Sequence, residues 1–177
     1  MLPESKYARI EWERRFLLDS FPSGATVTRI RRIRDRYIEG TTLRLRQQSD
    51  GNRNVVFKLT QKLPGGTARG QQGIITTMYL TEDEYGVLAQ LPARELTKNR
   101  HSVPPFGIDV FEGKLDGLVL AEAEFNSAAE SSALVLPSFI VREVSEDPRF
   151  TGGSLVTASR EELEKWLAEL GIKLSLS

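Results

Sequence analysis

Five times along this chain, like charges recur on alternate positions inside runs of strand-forming residues: Glu11 and Glu13, Arg44 and Arg46, Lys58 and Lys62 with Thr60 between, Lys98 and Arg100, and Glu122 and Glu124. Side chains at i and i+2 of a strand point to one face, so each group shares a face. Behind them stand apolar sets: Ile10, Trp12 and Phe16; Leu43 and Leu45; Phe57 and Leu59; and Val119, Ala121, Ala123 and Phe125. Arg15 continues the face of Glu11 and Glu13, while Leu118 and Leu120 lie on the face of Glu122 and Glu124. A solvated sheet face usually mixes polar types, yet here the signs are segregated by strand, acids toward the two ends of the sequence and bases between. Such faces converge where water, ions or a polyanion can neutralise them, because an unpaired buried charge is strongly unfavourable.

The rest of the chain repeats the β signal. Runs rich in Val, Ile, Thr, Phe and Tyr at 9–18, 26–38, 41–48, 54–62, 74–80, 96–102, 108–114, 118–125 and 139–145 are predicted strands, separated by turn residues. Ser49-Asp50-Gly51-Asn52 and the stretch from Gly113 to Gly117 carry hairpin chemistry, so the strands they join are predicted antiparallel. Two capping boxes, Thr81 with Glu84 and Ser159 with Glu162, open helices, the second bearing Leu163, Trp166, Leu167 and Leu170 on one face before Gly171. A third, weaker helix spans 128–136 and stops at Pro137. The pattern predicts a mainly β protein with a few helices (α+β): a closed or nearly closed eight-stranded antiparallel barrel, charges inward, with helices packed outside.

Composition narrows the chemistry. The 177 residues, 40% of them hydrophobic, read as one domain over 1–177. A formal net charge of +0 gives no global field toward nucleic acid or a membrane surface. Without cysteine there is no disulfide, thiolate site or cysteine nucleophile, and the single histidine, His101, leaves no two-histidine zinc motif. Oxygen ligands remain, which points to magnesium or manganese. No apolar stretch approaches the roughly 20 residues of a membrane helix, and Met1 to Glu13 has no signal-peptide core, so a cytoplasmic protein is expected. Tyr37 reads as a packed ring with a surface hydroxyl, and Gly152 with Gly153 as a turn. Gly65, Gly66 and Gly70 read as a hairpin loop, since no Gly-Lys-Ser/Thr follows them.

Taken in order, these residues resemble a known family. Glu11-Trp12-Glu13-Arg14-Arg15-Phe16-Leu17 is similar to the E-x-E-x-K signature that opens the CYTH superfamily, the triphosphate tunnel metalloenzymes. Asp35 and Tyr37, Leu43-Arg44-Leu45-Arg46, Phe57-Lys58-Leu59-Thr60 and Lys98-Asn99-Arg100 resemble its successive basic strands. Ala121-Glu122-Ala123-Glu124 resembles its second acidic pair, and the stretch from Arg142 to Phe150 its closing glutamate strand. Arg15 departs from the signature lysine; it keeps the charge and can grip phosphate bidentately, but cannot give up its proton.

The resemblance implies metal-dependent hydrolysis of inorganic triphosphate or a related small-molecule triphosphate, in a monomer or homodimer. Thiamine triphosphate hydrolysis, an adenylate cyclase-type reaction in the same tunnel, and a non-enzymatic polyphosphate-binding module are its alternatives. It implies catalytic roles for Glu11, Glu13, Arg15 and Glu124, and phosphate binding by Arg15, Arg44, Arg46, Lys58, Lys98 and Arg100. The implied ligands of Mg2+ or Mn2+ are Glu11, Glu13, Asp109, Glu122, Glu124 and Glu143, with Asp109 alternatively orienting a base and Lys98 and Lys62 toward a tunnel mouth.

Overall fold

The computed structural model describes residues 6–51, 54–65 and 71–173; Asn52 of the expected hairpin turn and Gly66 and Gly70 of the glycine-rich stretch lie outside the described residues. The strands are β1 (Arg9–Leu18), β2 (Arg29–Ile38), β3 (Leu43–Asp50), β4 (Val55–Pro64), β5 (Gln71–Leu80), β6 (Ala93–Val103), β7 (Phe106–Phe111), β8 (Val119–Phe125) and β9 (Arg142–Glu143). Around the barrel the order is β1, β5, β4, β3, β2, β6, β7, β8 and back to β1, with every neighbouring pair antiparallel. The closed eight-stranded barrel expected from the charge pattern is the observed fold.

The seam is shared. β5 pairs with the first part of β1, from Arg9 opposite Ile75 to Trp12 opposite Gln71. Further along, β9 takes over the same strand, with Phe16 opposite Glu143 and Leu17 opposite Arg142. The run expected over 139–145 shortens to a two-residue strand, which lies on the part of β1 beyond its pairing with β5.

Among the described residues, four α-helices accompany the barrel: α1 (Glu82–Leu88), α2 (Ala128–Ser132), α3 (Gly152–Leu155) and α4 (Arg160–Glu169). Both predicted capping boxes form, at Thr81 and Ser159. The helix expected over 128–136 is one short turn, capped by the Ser127 side chain. α1 lies outside the barrel, where Tyr85 stacks on Phe57 of β4 with ring centroids 4.5 Å apart. α3 and α4 instead close one end. Leu155, Leu163 and Leu167 join Leu17, Leu96, Phe111 and Leu120 in one buried cluster, placing apolar side chains from β1, β6, β7 and β8 beneath a helical plug. A second cluster on the outer face gathers Phe16, Ile108, Ala121 and Ala123 under Phe139 and Ile140 of the segment leading to β9. Both faces of β1 and β8 are thus covered, which explains why so few of their residues reach solvent.

Candidate functional site

Above the plug the interior opens into a cavity of about 400 Å³. Four carboxylates line it, Glu11 and Glu13 from β1 and Glu122 and Glu124 from β8, together with Arg15, Arg44, Arg46, Lys62, Lys98 and Arg100. Cross-strand register accounts for the convergence. Glu13 is opposite Glu124 and Arg15 opposite Glu122, so the acids gather on the β1–β8 wall. β3, which carries Arg44 and Arg46, lies three strands away round the barrel from β1 and four from β8, on the far wall. The alternation of strand side chains turns all ten groups inward because each strand's apolar set faces outward.

Most of these charges are paired. Arg46 donates to both oxygens of Asp35, at 2.6 and 2.7 Å, and Asp35 is 1% exposed. Burial alone would raise the Asp35 carboxyl, but Arg46 and then Arg44 outweigh it and hold it well below the usual carboxylate range. Arg100 donates to both oxygens of Asp109, each at 2.6 Å, and also bonds Glu122, while Lys98 bonds Asp109. Gly107 makes room for this: a Cβ there would sit 3.1 Å from Arg100 Cδ. Burial raises Glu122, yet Arg100 and Lys98 more than offset it and keep the group ionised. Glu13 goes the other way. Burial, reinforced by Glu122 and Glu11 and opposed by Lys62 and Arg15, pushes it up to about 7.

Arg15 is held in place by three groups: Glu13 at 3.1 Å, Gln72 at 2.9 Å and the Ser145 carbonyl at 2.9 Å. Lys62 donates to both oxygens of Glu11, at 2.8 and 3.1 Å. Arg44 stands directly opposite Tyr37 across the β2–β3 ladder, and both line the cavity.

The structure brings together Glu11, Glu13, Arg15, Arg44, Arg46, Lys98, Arg100, Glu122 and Glu124, as the sequence reading grouped them. Three expected residues are not brought to the cavity. Asp109 is 0% exposed and sealed behind Lys98 and Arg100. Lys58 shares the inward face of β4, but its ammonium lies over the exposed Tyr79 ring, 5.1 Å from the centroid. Glu143 sits outside the barrel wall, gripped by Arg14 through two bonds of 2.8 Å, with the Ser145 hydroxyl donating to it at 2.8 Å. Arg14 is on the outward face of β1, between the inward Glu13 and Arg15, and it draws Glu143 to that side.

Conversely, Tyr37, Gln72 and the Thr151–Gly153 segment line the cavity without having been expected among the site residues. Tyr37 is no surface hydroxyl: burial, then the nearby Asp35, raises its phenol. Lys62, which the sequence groups with Lys58 on one face and the resemblance places toward a tunnel mouth, lines the cavity where Lys58 does not. Gly152 and Gly153 open α3 rather than marking only a turn.

A divalent cation fits the donor set in kind: several carboxylate oxygens, one pushed up to about 7 by burial and then by the neighbouring Glu122, on a wall facing cations. As the side chains stand, no three His, Cys, Asp or Glu residues among the described residues converge on one point. Each of Glu11, Glu13 and Glu122 is turned instead onto a cation: Lys62, Arg15 and Arg100.

No family profile matches the chain. It is 32% identical over 154 residues to a curated protein, the inorganic triphosphatase of Nitrosomonas europaea, covering 82% of this chain and 95% of that one. The crystal structure of the hypothetical protein NE1496 superposes with a TM-score of 0.54 at 26% identity, over 84% of this chain and 99% of the other. The crystal structure of the inorganic triphosphatase NE1496 gives the same TM-score of 0.54 at 24% identity, over 84% and 95%, a likeness of fold. Among the described residues, no helix is long and apolar enough to cross a membrane.

Proposed function

The chain belongs to the triphosphate tunnel metalloenzyme family, and from that premise we propose that it is a hydrolase that cleaves a phosphoanhydride bond of inorganic triphosphate. The observation that carries this reading is the division of one cavity into a cationic wall and a carboxylate wall. A linear triphosphate lying between them meets Arg44, Arg46, Lys98 and Arg100, whose N–H groups satisfy its oxygens with charge-assisted hydrogen bonds. Arg15, already fixed by Glu13, Gln72 and Ser145, presents its guanidinium from the acidic side. Four carboxylates would otherwise repel the substrate, so the acidic wall calls for a cation between itself and the phosphates. Oxygens of Glu11, Glu13, Glu122 and Glu124 would hold magnesium or manganese, which when bound supplies charge neutralisation and an oriented water.

The protein's own contribution is positional and electrostatic. The arginines and lysines fix the phosphoryl groups and stabilise charge on the terminal group as its bond to the leaving phosphate breaks. No side chain is required to form a covalent intermediate. Asp35 and Asp109, buried behind the cations, hold Arg46, Arg100 and Lys98 in orientation before any substrate arrives.

The test is phosphate release from tripolyphosphate, ATP, thiamine triphosphate and pyrophosphate, each with magnesium, with manganese and with chelator. Metal-dependent release from tripolyphosphate in preference to the others is expected, with Arg44→Ala lowering kcat/KM on the order of 100-fold, as for loss of one aimed electrostatic donor. Release that persists in chelator would sink the metal assignment; no release from any of the four would sink the enzymatic reading.

A further inference from the structure

We infer that Gly152 is a positioning residue for the Tyr37 hydroxyl, and that its missing side chain is what allows Tyr37 to present that hydroxyl beside Arg44 in the cavity. The inference rests on the tunnel being the triphosphate site. Tyr37 stands directly opposite Arg44 across the β2–β3 ladder. Its ring packs against the apolar cluster that plugs the barrel, and both Tyr37 and Gly152 line the cavity. A Cβ at Gly152 would lie 1.9 Å from the Tyr37 hydroxyl oxygen and 3.0 Å from the ring carbon that bears it. Both distances are inside van der Waals contact, and the packed ring has little room to retreat.

The backbone does not explain this glycine. Gly152 is not among the positive-φ glycines and begins a helical turn, where alanine is the better helix former. Its neighbour Gly153 also lines the cavity, yet a Cβ there would meet nothing within 4 Å. The steric requirement therefore belongs to Gly152 alone, and it is directed at one atom. With Arg44 directly opposite it across the ladder and Gly152 close behind its oxygen, the Tyr37 hydroxyl is placed to donate its proton to an oxygen of a bound phosphate. The helical plug, through Gly152, thus sets where one donor of the cationic wall points.

The experiment is a mutant cycle on tripolyphosphate hydrolysis: wild type, Gly152→Ala, Gly86→Ala, Tyr37→Phe, and Gly152→Ala combined with Tyr37→Phe, with a melting temperature for each. Gly152→Ala is expected to lower kcat/KM by about 10-fold or more, since a displacement near 1 Å at a reacting centre has effects of that order or larger. Gly86→Ala, on α1 outside the cavity where an added Cβ meets nothing within 4 Å, should change it by less than about 2-fold, and Gly152→Ala should add less than about 2-fold once Tyr37→Phe has removed the oxygen. Equal losses from Gly152→Ala with and without the tyrosine hydroxyl, an equal loss from Gly86→Ala, or no loss at all would overturn the inference. If Gly152→Ala does not fold, recovery of a folded protein in the double variant supports the contact, and failure to recover overturns it. Absence of tripolyphosphate turnover in the wild type would instead count against the proposed function. The same cycle is then read as tripolyphosphate affinity by calorimetry, with the same pattern required.

Discussion

The interior of this barrel is two regions built on the same strands, a charged one and an apolar one, and the change between them happens within single strands. On β1 the inward row runs Glu11, Glu13, Arg15 and then Leu17; on β8 it runs Glu124, Glu122 and then Leu120. On β6 Arg100 and Lys98 give way to Leu96, and on β7 Asp109 gives way to Phe111, opposite Lys98. Backbone pairing is the same in both regions, so the ladder cannot tell them apart. What differs is how each side chain is compensated. Leu17, Leu96, Phe111 and Leu120 are satisfied by burial against the helical plug. The charges are satisfied by one another, and the cavity is the space where that mutual pairing leaves room for a ligand. Function here depends on the apolar region because it closes one end and holds the charged rows in register.

If the two regions are stabilised by different physics, they should break differently. The largest effect is expected from Arg46→Ala, which strips Asp35 of two short bonds and leaves it buried with only Arg44, 3.8 Å away. Removing one partner of a buried pair typically costs about 3–5 kcal/mol, and urea unfolding should find a loss of that size. Replacing both partners, Asp35→Asn with Arg46→Met, should recover much of it, while phosphate binding stays impaired. A loss below about 1 kcal/mol from Arg46→Ala would mean the charged layer is effectively solvated, contrary to the comparison.

Leu120→Ala probes the other region. Leu120 is 1% exposed within the plug cluster, so a loss of roughly 3 kcal/mol is expected, within the range for a buried leucine. Unlike Arg46→Ala, it should leave the KM for tripolyphosphate nearly unchanged in protein that remains folded. A KM that rises together with the loss of stability would show that the two regions are not separable, and that the plug shapes the cavity floor directly.

This division also explains what the sequence could reveal. The barrel was legible because charges at period two mark an inward polar face, and because the Leu118 and Leu120 row already shows apolar residues sharing that face with Glu122 and Glu124. Helix starts were legible from their caps; the short β9 was not, since it forms only where a distant segment meets the part of β1 beyond its pairing with β5. Within the site, alternation assigns a residue to a face and says nothing about its partner. Glu143 looked like one more carboxylate, but an arginine 129 residues away in sequence, on the opposite face of β1, claims it. Asp109 faces inward as expected and is sealed behind the cations it orients. Tyr37 and Gly152 meet only after the plug has folded over the barrel, so no local pattern links them.

The finest test of the charged region is its pH dependence, where one group dominates. Glu13 has its folded pKa raised to about 7 from an ordinary 4.5, chiefly by burial and by the crowding of Glu122. The folded state then binds the proton more tightly than the unfolded chain does. The stability that Glu13 contributes is therefore complete below about pH 4.5 and lost as pH rises toward 7. Glu13→Gln keeps the protonated form's shape without its titration, so stability relative to wild type should rise with pH. The gain expected at pH 8 over pH 5 is on the order of 1–3 kcal/mol by urea unfolding. Adding magnesium or manganese should shrink that gain at pH 8, because a cation at the acidic wall favours the ionised Glu13 that the variant lacks. A gain that is constant from pH 5 to pH 8 would mean that Glu13 is ionised throughout, its charge carried by Arg15 and Lys62, and the acidic wall would then be balanced by the protein's own cations.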